Sequence, residues 1–234
     1  MVHIVLVRHG ESSANAAGIL AGRTPGVSLT AAGEQQIRGL AEIFPFRTVS
    51  ELRCSTVQRC RETAELLLAG ITAGTVREAP EFAEVDYGTW SGRRLAELKE
   101  LPEWRRVATS PSSMEFPEGE SLRDAAARAV SGVESFVAEL RAAHARDAEA
   151  PDGLAEDAER RRTPVGVVVA HGDIIKAVLA AALDMPLDGF QRIAVAPGSL
   201  SVVTYPETGH PTVTAMSVTA AGRTGEAGAL GGGR

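Results

Sequence analysis

Val2-His3-Ile4-Val5-Leu6-Val7-Arg8-His9-Gly10 decides how this chain folds. From Val2 to Val7 the residues are nearly all apolar and mostly β-branched, without the alternation of a strand that keeps one face wet. A short apolar run of this kind reads as a strand buried on both faces, the usual setting of a parallel sheet. Polar residues begin at once at its carboxyl end. A second run, Val165 to Ala170, has the same character and closes on His171-Gly172. Ligands of open parallel sheets bind outside the carboxyl ends of the strands. Both histidines are therefore expected to project into one crevice.

Helical patterns fill the chain between these runs. Thr30 reads as an N-cap with Glu34 near the first turn, and Ile37, Leu40, Ala41 and Phe44 follow at helical spacing until Pro45. Val49 to Cys54 predicts a strand, Thr56 to Leu68 a helix, and residues 76–84 a short extended stretch. Residues 88–117 read as an irregular cap over a site, with helical pieces at Leu95–Leu98 and Trp104–Val107 and with Trp90 and Trp104 packing beneath it. Ser121 to His144 is the longest amphipathic pattern. Residues 146–162 read as a charged, solvated loop. A helix over Ile174–Leu183 and strands at Ile193–Val195, Leu200–Tyr205 and Thr212–Val218 complete the domain. The tail, 219–234, lacks apolar anchors, and disorder is expected there. Alternating strands and helices predict an α/β fold, a three-layer sandwich with a mostly parallel central sheet flanked by helices, formed as a single domain by residues 1–218.

Among 234 residues, 24 are basic and 30 acidic, for a formal charge of −6. Only Lys99 and Lys176 are lysines, so 22 of the basic residues are arginines. GC-rich coding accounts for most of them, and an anion site would account for a few. The negative balance and the ten aromatic residues argue against a nucleic-acid partner, which needs a positive stripe and stacking surfaces. No apolar run approaches the ~20 residues of a membrane span. Ile4 to Val7 is too short for a secretory signal and meets Arg8 immediately, so a cytoplasmic protein is expected. Cys54 and Cys60 suit that compartment as free thiols. Neither His9 nor His171 has a third ligand at metal spacing, and no metal or cofactor is expected. The open sheet leaves edges through which a homodimer could pair, without a sequence signature that specifies one.

Two strand-end histidines beside Arg8 suit phosphoryl transfer, in which an imidazole attacks phosphorus and guanidinium groups carry charge on the equatorial oxygens. The alternatives are a zinc pair and two histidines that merely cap backbone groups. A cysteine-dependent phosphatase needs Cys, five residues, then Arg; the sixth position after Cys54 is Cys60, so that mechanism does not apply.

Six segments, in order, then resemble a known family. They are Leu6-Val7-Arg8-His9-Gly10-Glu11-Ser12 with Asn15, Leu29-Thr30-Ala31-Ala32-Gly33 with Gln36, and the run from Ser55 through Arg59 to Ala64. Glu84 through Gly88 and Trp90 to Gly92, Pro117-Glu118-Gly119-Glu120-Ser121 and Val169-Ala170-His171-Gly172 complete the set. Over roughly residues 2 to 205 the chain resembles the histidine phosphatase superfamily, in its phosphoglycerate-mutase-like branch. Thr56 replaces the family's usual proline and Ser91 a glutamate.

The resemblance implies that His9 attacks phosphorus and becomes a phosphohistidine. It implies that Arg8 and Arg59 grip the phosphoryl oxygens, that His171 donates to an equatorial oxygen, and that Glu84 is the general acid. Without the motif register, Glu81 and Asp86 rival Glu84, and Arg59 reads as a helix-surface arginine. Asn15 either orients His9 or the phosphate, or serves the turn after Ser13 and Ala14. Arg23, in the loop Leu20 to Val27, is either a substrate contact or an exposed loop residue. The implied function is a metal-independent phosphatase acting on a small phosphorylated metabolite. The alternative is a phosphomutase that holds a second hydroxyl where water would sit. The run Val85 to Trp90, an abbreviated insertion after it and the absence of an acidic residue in the Leu20–Val27 loop depart from glycolytic mutases. Similarity to actinobacterial proteins labelled phosphomutases keeps the alternative in view. A non-catalytic phospholigand-binding scaffold is the remaining class, and the intact set His9, Arg8, Arg59, Glu84 and His171 argues against it.

Overall fold

Strand β1 (Val2–Arg8) runs through the interior of a six-stranded sheet in a computed structural model that describes residues 1–149 and 163–220. The chain continues through a one-turn helix α1 (Ser13–Ala16), helix α2 (Ala31–Glu42), β2 (Thr48–Cys54), α3 (Gln58–Leu68) and β3 (Thr72–Glu78). Short helices α4 (Leu95–Leu98) and α5 (Trp104–Thr109) precede the long α6 (Leu122–Glu149). Then come β4 (Val165–Ala170), α7 (Gly172–Ala182), β5 (Leu200–Tyr205) and β6 (Thr212–Val218). The strand order is β3-β2-β4-β1-β5-β6. Pairs β1–β4, β2–β4 and β2–β3 are parallel, whereas β5 and β6 add an antiparallel edge.

Each face of the sheet carries its own core, because side chains alternate across a strand. Val5 and Val7 of β1, with Val167 and Val169 of β4, pack under α2 and α3 through Ile37, Leu40, Cys60 and Leu67. Ile4 and Leu6, with Val168 and Ala170, face α6, α7 and the cap through Phe136, Val133 and Leu179. Two covered faces explain why β1 and β4 read as unbroken apolar runs. The cap closes over its aromatics: Trp90 stacks on Trp104 with centroids 6.0 Å apart, and Phe116 packs edge-on to Trp90 and Tyr87.

Register positions the site. Val7 pairs with Val169 and Arg8 with Ala170, so His9 and His171 leave neighbouring parallel strands at the same height. Cys54 of β2 also pairs with Val169, which brings Ser55 to the same level.

Four expectations are corrected. The extended stretch expected at 76–84 is β3, which begins at Thr72, and Pro80–Phe82 is a 3-10 turn instead. As an exposed sheet edge, β3 has no buried face to mark it in the sequence. Ile193–Val195 is extended but joins no sheet: the Val195 carbonyl accepts from Arg8 Nη1 at 2.5 Å, and Ala196 N–H donates to Ser217. Helix α6 continues past His144, so Arg146 to Glu149 are helical rather than loop. Helix α3 starts two residues later than Thr56, after Val57. The rest of the expected 146–162 loop, and the tail beyond Ala220, lie outside the described residues. No helix among the described residues is long and apolar enough to cross a membrane.

Candidate active site

His9 sits just beyond β1, with 3% of its surface exposed. Its Nδ1 lies 2.7 Å from its neighbour's carbonyl at Gly10, and its Nε2 lies 3.0 Å from Arg59 Nε. Arg59 Nε carries a hydrogen and can only donate. Nε2 of His9 therefore holds the lone pair, and Nδ1 holds the proton that it donates to Gly10. Burial, reinforced by the positive charges of Arg59 and Arg8, pushes the His9 pKa well below the ordinary imidazole value. The imidazole is thus neutral, with the lone pair of Nε2 held by Arg59 in the cleft it lines.

Arg59 reaches this point because α3 starts immediately after β2 and presents its first turn to the strand ends. It is fully sequestered, 2% exposed. Its Nη2 donates to His171 Nδ1 at 3.0 Å and to the Gly22 carbonyl at 3.0 Å. Nη1 is buried and finds no hydrogen-bond partner among the described residues. A buried donor left unsatisfied is costly, and here it belongs to the guanidinium that bridges both histidines. Arg8 is also buried, its guanidinium laid so closely against Gly172 that a Cβ there would meet Arg8 Cζ at 3.3 Å.

His171 caps the end of β4, its ring centroid 5.3 Å from that of His9. Because Arg59 donates to Nδ1, Nε2 carries the proton and donates to Ser55 Oγ at 2.8 Å. Burial and then the charge of Arg59 hold its pKa well below the ordinary value. Cys60 Sγ lies 3.4 Å from Nε2. Burial pushes the Cys60 thiol well up and the Cys54 thiol to about 12, so both sulfurs are protonated, packed and unreactive.

Glu84 enters from the segment between the Pro80–Phe82 turn and the cap. Its carboxyl is 5% exposed; Oε1 accepts from Val85 N–H at 3.0 Å, and Oε2 lies 3.8 Å from His171 Nδ1. Burial raises its pKa to about 7, the nearby Asp173 charge adds to the rise, and Arg59 opposes it. Its rivals are elsewhere: Glu81 approaches Arg53 at 3.9 Å, and Asp86 Oδ1 accepts from Gly88 N–H.

Asn15 completes the capping box of the one-turn helix α1, whose N-cap is Ser12. Its Oδ1 accepts from Ser12 N–H and Ser12 Oγ, while Ser12 Oγ accepts from Asn15 N–H. The turn role is thus present, and Asn15 also lines the cleft with His9, Ser12, Leu20, Arg59, Glu84 and Tyr87. Three polar groups of this neighbourhood had no role in the sequence reading: Ser55, Tyr87 and Asp173. Tyr87 donates to Asp173 Oδ2 at 2.8 Å, and Asp173 Oδ1 lies 3.5 Å from the buried Lys176. The available signal is position alone: Ser55 directly follows β2, and Asp173 lies three residues beyond the end of β4, in the first turn of α7. Among the described residues no group of three or more His, Cys, Asp or Glu side chains gathers where it could hold a metal ion.

Known proteins resemble this chain over most of its length. "Probable phosphoglycerate mutase GpmB" of Photorhabdus laumondii is 27% identical over 210 residues, covering 88% of this chain and 86% of that one. "Phosphoserine phosphatase 1" of Hydrogenobacter thermophilus is 28% identical over 205 residues, covering 87% and 86%. Among solved structures, the YhfR protein of Bacillus stearothermophilus superposes with a TM-score of 0.74 at 22% identity, covering 93% of this chain and 97% of that one. A mycobacterial glucosyl-3-phosphoglycerate phosphatase does so with a TM-score of 0.69 at 25% identity, covering 92% and 98%. Residues 4–219 match the family described as histidine phosphatase superfamily (branch 1), and with nearly the whole chain matched, the protein belongs to that superfamily.

Proposed function

We propose that this enzyme is a phosphatase that hydrolyses a small phosphorylated metabolite through a phosphohistidine at His9. The observation that carries the reading is Arg59. One buried guanidinium touches the lone pair of His9 and the ring of His171 while keeping Nη1 unpaired. A tetrahedral phosphoryl group between the two rings supplies the acceptor oxygens this fork lacks.

In the first step the Nε2–P bond forms as the P–O bond to the leaving alcohol breaks. The Glu84 carboxyl, held protonated near neutral pH by burial, gives its proton to the departing oxygen. Arg8, Arg59 and His171 carry the charge that develops on the equatorial oxygens. Arg59 moves its donors from the histidines to the phosphoryl group, which frees His171 Nδ1 to take the proton of the bound monoester monoanion while Nε2–H keeps its bond to Ser55 Oγ. The resulting imidazolium offers the Nδ1 proton to an equatorial oxygen. Asn15 holds the Ser12 turn beside His9. In the second step the Glu84 carboxylate takes a proton from water, the O–P bond forms, the N–P bond breaks and inorganic phosphate leaves.

A phosphomutase reading is supported by the relatives named phosphoglycerate mutase. It differs only in the acceptor, a substrate hydroxyl in place of water. Brief mixing with a ³²P-labelled phosphate monoester is expected to give an acid-labile phosphoenzyme that His9→Ala abolishes. Its label should then appear as free phosphate. Label that survives in His9→Ala, or the absence of any phosphoenzyme, overturns the mechanism. Label that appears on a second alcohol makes the protein a mutase.

A further inference from the structure

Glu84 lies in a stretch, residues 83–87, without helix or strand, so no helical or sheet ladder holds its main chain, although Val85 N–H donates to its carboxyl. Three side chains from two distant parts of the chain hold this stretch instead. Arg23 Nε donates to the Glu84 carbonyl at 2.7 Å, and its Nη2 donates to Glu120 Oε1 at 2.7 Å. Arg128, on α6, donates through Nη1 to the carbonyls of Glu81 at 2.6 Å and Ala83 at 3.0 Å, and through Nη2 to the same Glu120 oxygen at 2.9 Å. Glu120 Oε1 also accepts the Asp86 N–H at 2.8 Å. The main chain is thus gripped at 81, 83, 84 and 86, on both sides of Glu84, and none of these bonds touches its carboxyl.

We propose that Arg23, Glu120 and Arg128 form a clamp that positions Glu84 for proton transfer to the leaving group. The proposal rests on Glu84 being the general acid. It also resolves the role of Arg23. Nε and Nη2 are committed to Glu84 and Glu120, and Nη1 lies 3.9 Å from Asp86, so the side chain faces the acid segment. Arg23 directly follows Gly22, whose carbonyl accepts from Arg59 Nη2 at 3.0 Å. Two consecutive loop residues therefore tie the phosphate-gripping arginine to the segment that carries the acid, and a shift of one displaces the other. Arg23 is 39% exposed in its side chain, where ion pairs add little to stability. Its removal perturbs alignment rather than folding.

The test uses two aryl esters and compares kcat/KM, which reports only the step that forms the phosphoenzyme. Phenyl phosphate expels a basic oxygen that needs a proton; 2,4-dinitrophenyl phosphate expels an anion that needs none. Loss of alignment costs part of the ~10²- to 10⁴-fold supplied by a general acid, so Arg23→Ala is expected to lower kcat/KM about 10-fold on phenyl phosphate and less than about 2-fold on the dinitrophenyl ester. Arg128→Met should show the same selectivity. In a Glu84→Gln background, Arg23→Ala should cost nothing further on phenyl phosphate, because the two act through one group. Equal losses on both esters with raised KM make Arg23 a substrate contact and overturn the clamp, as do an unchanged Arg23→Ala enzyme or additive losses with Glu84→Gln. If Glu84→Gln itself shows no leaving-group selectivity, the assignment of the acid fails instead.

Discussion

Replacing Glu84 with glutamine should make the protein more resistant to unfolding in alkali while removing its proton donor. Below pH 4.5 both folded and unfolded chains carry the Glu84 proton, and the group contributes no pH dependence. Between pH 4.5 and about 7 the folded chain keeps a proton that the unfolded chain has released. Rising pH then favours unfolding, until the buried carboxyl ionises as well. At about 1.36 kcal/mol per tenfold difference in proton affinity, the fold gives up about 3 kcal/mol from this one group by pH 8. Glutamine keeps the carbonyl oxygen that accepts from Val85 N–H and carries no charge to desolvate. Urea unfolding followed by circular dichroism at pH 5 and pH 8.5 measures the difference. The stability of Glu84→Gln relative to the parent should rise by about 2 to 3 kcal/mol between the two values. His9 and His171, buried and neutral, cost both chains stability as pH falls below 6.5, and this cancels in the comparison. A stability difference that stays level across the range refutes the account of Glu84 as a protonated, buried acid.

The same carboxyl sets the rate profile: kcat/KM for phenyl phosphate should fall above about pH 7, while Glu84→Gln shows no such alkaline limb. Neutral His9 puts no limb of its own near pH 6. Arg59→Ala removes charge-assisted bonds worth about 1.5 to 3 kcal/mol each, so calorimetry should find inorganic phosphate or vanadate bound about 100-fold more weakly or not at all; undiminished binding would contradict the site. Gly33→Ala would drive a Cβ into the Glu11 carbonyl oxygen, next to the His9-Gly10 turn. A cost of about 1 to 3 kcal/mol in thermal unfolding, together with lost activity, is expected.

Gly33 illustrates what was legible and what was not. As part of Leu-Thr-x-x-Gly it is visible as a motif, but its reason, the seating of α2 directly on the Gly10-Glu11 turn, is a contact between segments that no local pattern encodes. His9, His171 and Arg8 were readable from the chain because they follow strands whose dryness shows as apolar runs. Arg59 and Glu84 came only through the family resemblance: one arrives from a helix and one from an irregular stretch, and neither has a periodic neighbour to announce it. Strand β3 was misplaced because an exposed edge strand has no buried face to repeat. Helix α6 ran past its apolar stripe because Ala, Arg and Glu extend a helix by intrinsic preference alone. Arg23, Ser55 and Asp173 act through hydrogen bonds to residues 61, 116 and 86 positions away, and sequence spacing carries no trace of such bonds.

The charge balance shows how a chain of net −6 can hold an anion. Field at a site depends on which charges lie near it and how they are paired. Around the cleft the carboxylates are engaged or neutral. Glu84 keeps its proton up to about pH 7; Glu120 is taken by Arg23 and Arg128; Asp173 accepts from Tyr87 and faces Lys176. Arg59 keeps one nitrogen unpaired among two neutral imidazoles. Removing water from this pocket strengthens that residual positive field. Arg53 shows that burial alone does not make an arginine an anion site, because Glu51 and Glu139 already take its donors beneath the sheet edge. What distinguishes Arg59 is that, among the described residues, no carboxylate bonds its guanidinium, the arrangement on which the proposed phosphoryl site rests.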